Sequence, residues 1–273
     1  LVLMRIVREG KLHCEVELDA LSVTMLLDGE TTMPLDCLRG PEGVALSEGE
    51  LAGADLRDGR LHLPVRAFLV RGPGGCLLID TGAAQAWHKG LGQLGAAMAE
   101  AGTGAQEVTA VALTHTHIDH VSGLVDEDGG LAFPNATRLF VATEEIMAFR
   151  AIPRMKPVEM QLMPLEQGDG PMTGVTAINA PGHSPGHMAF LVEGRLLIWG
   201  DLVHCAGVQF ARPDIGWKYD EDPGQARASR RAVMEQAVEA GWIVAGAHLP
   251  NIGIGRIERA GAGYAFYPAT RGP

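Results

Sequence analysis

The chain has 273 residues, 47% of them hydrophobic, and a formal net charge of −11. That is enough apolar material for a full core, and the acidity argues against a nucleic-acid partner or an anionic membrane surface. No apolar run approaches the ~20 residues of a membrane span, so no membrane is expected as a partner.

The N-terminal "LVLMRIVREGK" is too short for a signal peptide's apolar region and has no cleavage pattern. It does not begin with Met, which leaves processing or trimming open. Residues 21–27 and 65–71 read as strands, and "GGCLLIDTG" (74–82) as a buried strand ending in a turn. The stretch 29–60, rich in Gly and acidic residues, reads as a long surface excursion. A helix is expected over 84–101, with Leu91, Leu94 and Met98 on one face and Gly102 as its stop. "VTAVAL" (108–113) is another buried strand and runs into "THTHIDH". Strands follow at 137–142, 174–181, 187–192 and 195–201.

A helix over 222–241 has Asp222 as N-cap, Pro223 in the first turn, Gln225 completing a capping box and Gly241 at its end. "WIVAGAH" (242–248) reads as the last buried strand. With no repeat, low-complexity tract or linker, residues 1–273 are expected to form one mixed α/β domain. The scattered Cys14, Cys37, Cys76 and Cys205 form no C-x-x-C pair and read as reduced thiols, which makes the cytoplasm the expected location.

Apolar strands that end in polar ligands recur along this chain. "VALTHTHIDH" supplies His115, His117, Asp119 and His120; "AINAPGHSPGH" supplies His183; "LLIWGD" supplies Asp201; "WIVAGAH" supplies His248. Rigid strands can aim all seven at one rim. Histidine and carboxylate together suit Zn, Mn, Fe or Co. Seven ligands exceed the needs of one tetrahedral ion, which points to two divalent ions, Zn foremost, sharing a carboxylate. His187 reads as a packing or hydrogen-bonding residue, and His13, His62 and His88 as surface residues.

"THTHIDH", the downstream "GHSPGH", "GD" and "AH", and the upstream "LLIDTG" resemble the metallo-β-lactamase superfamily in order and spacing. The segments "GDLVHCAGVQFARPDIG" and "AHLPNIGIGRIERAGAGYAFYP" further resemble the branch containing methyl parathion hydrolase and related lactonases. The resemblance implies an αββα sandwich with a dinuclear site at one edge of the two sheets. His115, His117 and His183 would hold the first metal, Asp119, His120 and His248 the second, with Asp201 bridging. Asp80 matches an aspartate that orients a ligand instead of binding metal. Quorum-quenching lactonases carry a Tyr three residues after the bridging Asp, where this chain has His204.

"GHSPG" (182–186) also matches the serine-hydrolase pattern G-x-S-x-G, with Ser184, Asp201 or Asp214, and His248 in a suitable order. The residue after such a nucleophile must donate its backbone N–H to the oxyanion, and Pro185 has none. An iron oxygenase or diiron redox protein on the same scaffold is a second alternative, and a glyoxalase II-like thioesterase or β-lactamase a third. The preferred reading is hydrolysis by a water shared between two ions, its pKa lowered toward ~7. Asp119 would ligate and orient the nucleophile's proton, and His204 would donate to the substrate.

No Lys or Arg occurs in 104–137, 179–194, 200–211 or 242–255, the segments that carry the ligands. Recognition of an anion usually needs one. The expected partner is therefore a small neutral apolar substrate: a lactone or aryl ester, with phosphotriesters also within reach. Trp87, Phe149 and Phe210 are candidate walls, with ordinary core packing the preferred role for each, and Arg150, Arg154, Lys156, Arg212 and Lys218 are the cations that could fold over the site. A homodimer is compatible with all of this.

Overall fold

The computed structural model describes residues 4–269. The first three residues of the N-terminal segment read above, and the last four of the chain, lie outside the described residues. Two β-sheets lie face to face. Along the first, neighbouring strands run Arg5–Glu9, His13–Glu17, Ser22–Met33, Arg60–Gly72, Gly75–Ile79, Ala110–Ala112, Leu139–Ala142 and Leu162–Leu165. The second runs Val175–Asn179, Met188–Val192, Leu196–Ile198, Ile243–Ala245, Ile254–Ala260 and Gly263–Pro268.

Period-two alternation explains why both faces of each sheet are covered. Phe68, Val70, Leu77 and Ile79 point between the sheets, where they meet Phe190, Val192, Leu196 and Ile198. Leu69, Leu78 and Val111 point the other way, against Leu94, Met98 and Phe149. On the far face of the second sheet, Leu197 and Val244 pack under Val233, Met234 and Ala237 of helix Pro223–Ala240. This is the expected αββα sandwich.

Helix Pro223–Ala240 forms for the reasons its sequence gives. The Asp222 side chain accepts from Gln225 N, Pro223 occupies the first turn, and Gly241 caps the end in the left-handed region. It crosses from Leu196–Ile198 to the parallel strand Ile243–Ala245.

Three expectations need correction. The helix over 84–101 is only Leu94–Glu100, because residues 84–92 form a loop whose ends are taken up by Asp28. Gly92, at φ +88°, could not continue a helix into it. The excursion 29–60 is shorter than read: Ser22–Met33 stays in the sheet to its end, and Leu38–Arg39 pairs with Gly216–Trp217. Finally, Ile243–Ala245 is not the last strand, since the hairpin 254–268 follows it.

Candidate metal centre and substrate cavity

Strand ends deliver the ligand candidates. Strands finishing at Ala112, Ile198 and Ala245 are each followed three residues later by His115, Asp201 and His248. A one-turn helix, Ile118–Val121, brings Asp119 and His120 round beside them, and the turn after Asn179 brings His183. Asp80, following Gly75–Ile79, sits at φ +59°, a conformation that Asp tolerates better than most residues.

All seven candidates meet in one place. His115, His117 and His183 form one group of potential ligand atoms, and Asp119, His120, Asp201 and His248 another, each within 4.8 Å. Asp201 lies between them. Its Oδ1 is 3.0 Å from His120 Nε2 and 3.2 Å from His248 Nε2, while its Oδ2 is 3.3 Å from His183 Nε2. Asp119 Oδ2 is 3.6 Å from both His120 Nε2 and His248 Nε2. His204 joins the second face of Asp201, its Nε2 3.1 Å from Oδ2 and its ring stacked on Trp217.

The outward nitrogens are tied to the protein. His120 Nδ1 is 2.8 Å from Asp80 Oδ2, His183 Nδ1 is 2.9 Å from Asp220 Oδ1, and His248 Nδ1 is 2.7 Å from the Pro64 carbonyl. Each bond fixes a tautomer that leaves Nε2 free to face inward. Inward, partners run out: His115 Nε2, His120 Nε2 and Asp201 Oδ1 are buried without a hydrogen bond. Leaving a buried polar atom unpaired costs ~1–3 kcal/mol. Cations among these atoms would satisfy them, so the residues present fit a metal pair.

Electrostatics divide the histidines. Burial, with help from His120 and His117, pushes His115 well below the usual imidazole range. Burial and the neighbouring His183 lower His117 to about 4. For His183 burial works downward, but Asp201 and Asp220 prevail and lift it to about 9. His120 also rises, burial being outweighed by Asp201, Asp80 and Asp119. Desolvation would raise the Asp201 carboxyl, yet His120, His248 and His204 hold it well below its usual range. An anion is thus stabilised at the point where the two groups meet.

The metallo-beta-lactamase superfamily model matches residues 61–248. The chain belongs to that superfamily. Among solved structures, AidC, a dizinc quorum-quenching lactonase in complex with the product N-hexanoyl-L-homoserine, aligns at TM-score 0.83 and 25% identity, over 96% of this chain and 98% of that one. AbOPH, a hydrolase of the beta lactamase superfamily, aligns at 0.83 and 27% identity, over 97% and 100%. A probable metal-dependent hydrolase from Staphylococcus aureus shares the fold at 0.74 and 20% identity, over 93% and 98%. Comparison with curated proteins gives no match. With its His and Asp cluster, this superfamily member is a metal-dependent hydrolase.

Over the cluster opens a cavity of about 530 Å³. Its floor is His117, Asp119, His183, Asp201, His204 and His248, and its walls include Met33, Leu63, Trp87, Ile118, Trp217 and Tyr219. Among the described residues no Lys or Arg lines it. Of the three candidate aromatics, Phe149 and Phe210 are core residues on the outer faces of the sheets, as preferred, whereas Trp87 lines the cavity.

His187 is buried and its Nε2 accepts from Asp201 N. Ser184 is buried too, with no partner for its hydroxyl, so no triad forms around it. His88 is exposed, but His13 and His62 are not surface residues: their side chains are 6% and 8% exposed and meet Glu100 and Asp55.

Sequence reasoning missed Asp220, which holds His183, and three buried charges that hold ligand-bearing loops by backbone bonds. Glu145 accepts from Thr116 N and Oγ1 and from Gly186 N, joining the "THTH" and "GHSPGH" loops. Arg66 donates to the carbonyls of Leu249 and Asn251, just after His248. Arg230 donates to those of Leu202, Pro213 and Ile215, around His204. Most of their partners are main-chain groups, which leave no motif.

Proposed function

We propose that this chain hydrolyses small neutral apolar esters, a lactone or an aryl ester first, with phosphotriesters as a further class. The observation that carries the reading is the cavity: a His and Asp floor under apolar walls, with no cation lining it among the described residues. The nearby basic residues are engaged elsewhere. Arg150 and Lys156 pair with Glu159, Arg154 with the carbonyls of Val125 and Asp126, Arg212 with Glu50 and Lys218 with Asp36. A carboxylate or phosphate in this cavity would lack a partner for its charge. The likeness to AidC, named as a lactonase, supports the lactone.

His115, His117 and His183 would hold one divalent ion, Asp119, His120 and His248 a second, and Asp201 would offer one oxygen to each. Zinc is the first choice, with Mn, Fe or Co compatible with the same donors. When bound, such a pair lowers the pKa of a water toward ~7 and polarises a carbonyl or phosphoryl oxygen. Asp119 lines the cavity, and the carboxylate oxygen not given to the ion would take up the nucleophile's proton. Burial holds His204 neutral, down to about 3, despite Asp201. Its Nε2 lies 3.1 Å from Asp201 Oδ2 at the centre of the cluster, and in this reading it would exchange that partner for a substrate oxygen. The apolar walls exclude bulk water from these contacts. Residues 1–273 act in this reading as one hydrolase domain.

Elemental analysis of gently purified protein should give two ions per chain. In a panel matched for leaving group, N-hexanoyl-homoserine lactone and neutral aryl esters should exceed β-lactams, glutathione thioesters and phosphodiesters in kcat/KM. A clear preference for the anionic compounds would sink the substrate assignment and leave the metal site standing.

A further inference from the structure

One buried carboxylate lies outside the cluster and reaches the cavity through a loop. Strand Ser22–Met33 pairs with Arg60–Gly72, and its register shifts between Leu27 and Gly29. A bulge of this kind re-aims the side chain within it. Here that side chain is Asp28, which is fully buried.

Asp28 Oδ2 accepts from Ala83 N at 3.0 Å and Gly92 N at 3.1 Å, and Oδ1 from Leu94 N at 3.0 Å. Its carbonyl accepts from Gln93 N at 2.8 Å. Four bonds from one residue thus fasten both ends of the loop 84–92. That loop also rests on the bulge itself, since a Cβ on Gly29 would lie 2.1 Å from the Gly90 carbonyl oxygen. Only glycine allows so close an approach. Trp87, in the middle of the loop, packs toward Val65, Ala83 and Leu91 and lines the cavity. Among the described residues no cation pairs with Asp28. Burial pushes its carboxyl above the usual range, with the three amides pulling back. A buried carboxylate without a cation is costly, and what it secures here is the loop.

We propose that Asp28 is a positioning residue for substrate selection. By closing the neck of the 84–92 loop it holds Trp87 as a fixed wall, and so favours large apolar substrates in binding while leaving bond cleavage untouched. This rests on the reading of the cavity as the site for neutral apolar esters.

The test uses the metal-loaded enzyme with two lactones, N-decanoyl-L-homoserine lactone and γ-butyrolactone. The second is too small to need the wall. Asp28→Asn keeps the volume but presents an NH₂ where an amide N–H needs an acceptor. It should raise KM for the long lactone about tenfold, equal to ~1.4 kcal/mol of binding, with kcat and metal content unchanged. The small lactone should show no change. Trp87→Ala should likewise raise KM for the long lactone, and adding Asp28→Asn to it should cost nothing more, because both act through one contact. Equal losses on both lactones, or additive losses in the double variant, would overturn the proposal. Should Asp28→Asn fail to fold, hydrogen exchange on the wild type decides: slow amides at Ala83, Gly92 and Leu94 support the closed neck, and fast ones refute it. Wild-type enzyme inert toward both lactones would refute the lactone assignment alone, since the amide protection still judges the closed neck.

Discussion

The floor and the wall of the cavity are built on different terms. Floor histidines follow strand ends, and His120, His183 and His248 each have a second nitrogen held by Asp80, Asp220 or the Pro64 carbonyl. Among the walls, Met33 and Leu63 sit on strands, while Trp87 and Trp217 follow segments that hang from a buried charge: Asp28 for the Trp87 loop, Arg230 for the segment leading to Trp217. Most of the chemistry that needs sub-ångström placement sits just past strand ends, and the two tryptophan contacts, which only need apolar area, sit on these segments. Damage to the floor should therefore appear in metal content and kcat, and damage to the wall in KM.

The largest effect expected is metal removal. Chelation should abolish hydrolysis and lower the melting temperature, because the buried, unpaired His115 Nε2, His120 Nε2 and Asp201 Oδ1 lose whatever satisfies them. Zn, Mn or Co should restore both. Activity that survives exhaustive chelation, with the ions shown to be gone, would end the comparison at its root.

Asp201→Ala comes next. It removes the one carboxylate that faces both ligand groups, at 3.0 Å from His120 Nε2 and 3.3 Å from His183 Nε2. A rate loss on the order of 10³-fold, or ~4 kcal/mol of transition-state stabilisation, is expected, together with fewer than two ions per chain. Full metal content in this variant would show that the two groups do not depend on the shared carboxylate.

Glu145→Gln tests whether the loops of the floor are tied as tightly as its strands. One of the two carboxylate oxygens becomes an NH₂ facing donors from Thr116 or Gly186. Metal affinity, read by competition with a chromogenic chelator, should fall ~10–100-fold, the usual effect of disturbing a group behind the ligands. Unchanged affinity would place Glu145 with the scaffold and not with the site.

How much of this was legible follows the same division. "THTHIDH", His183, Asp201 and His248 stand out because buried strands that end in ligands are visible as apolar runs with a polar stop. The sandwich followed from those runs and from the resemblance they carry. The loop 84–92 was not legible. Its Ala, Gln and Leu residues favour a helix, and only Asp28, more than 50 residues earlier, removes the amides such a helix would need. Asp220, Glu145, Arg66 and Arg230 escaped for a similar reason. Each stands alone as a signal in the sequence: Glu145, Arg66 and Arg230 bind mostly backbone, and Asp220 binds the ring of His183, distant in the chain.

The smallest effect expected is the most selective one, and it compares two hydroxyls within the floor. Ser184 sits in "GHSPG" between two histidines, buried, with no hydrogen bond to its Oγ. Thr114 is equally buried, but its Oγ1 donates to Asp80 Oδ2 at 2.8 Å and lies 3.0 Å from His115 Nδ1. Removing an unpaired hydroxyl strands no partner, whereas removing a paired one strands the other member. Ser184→Ala should therefore leave kcat within about twofold and the melting temperature unchanged or slightly higher. Thr114→Val should weaken metal binding about tenfold, because Asp80 loses a donor while still holding His120. If instead Ser184→Ala abolished hydrolysis with both ions retained, the serine would be the nucleophile and the floor a structural metal site.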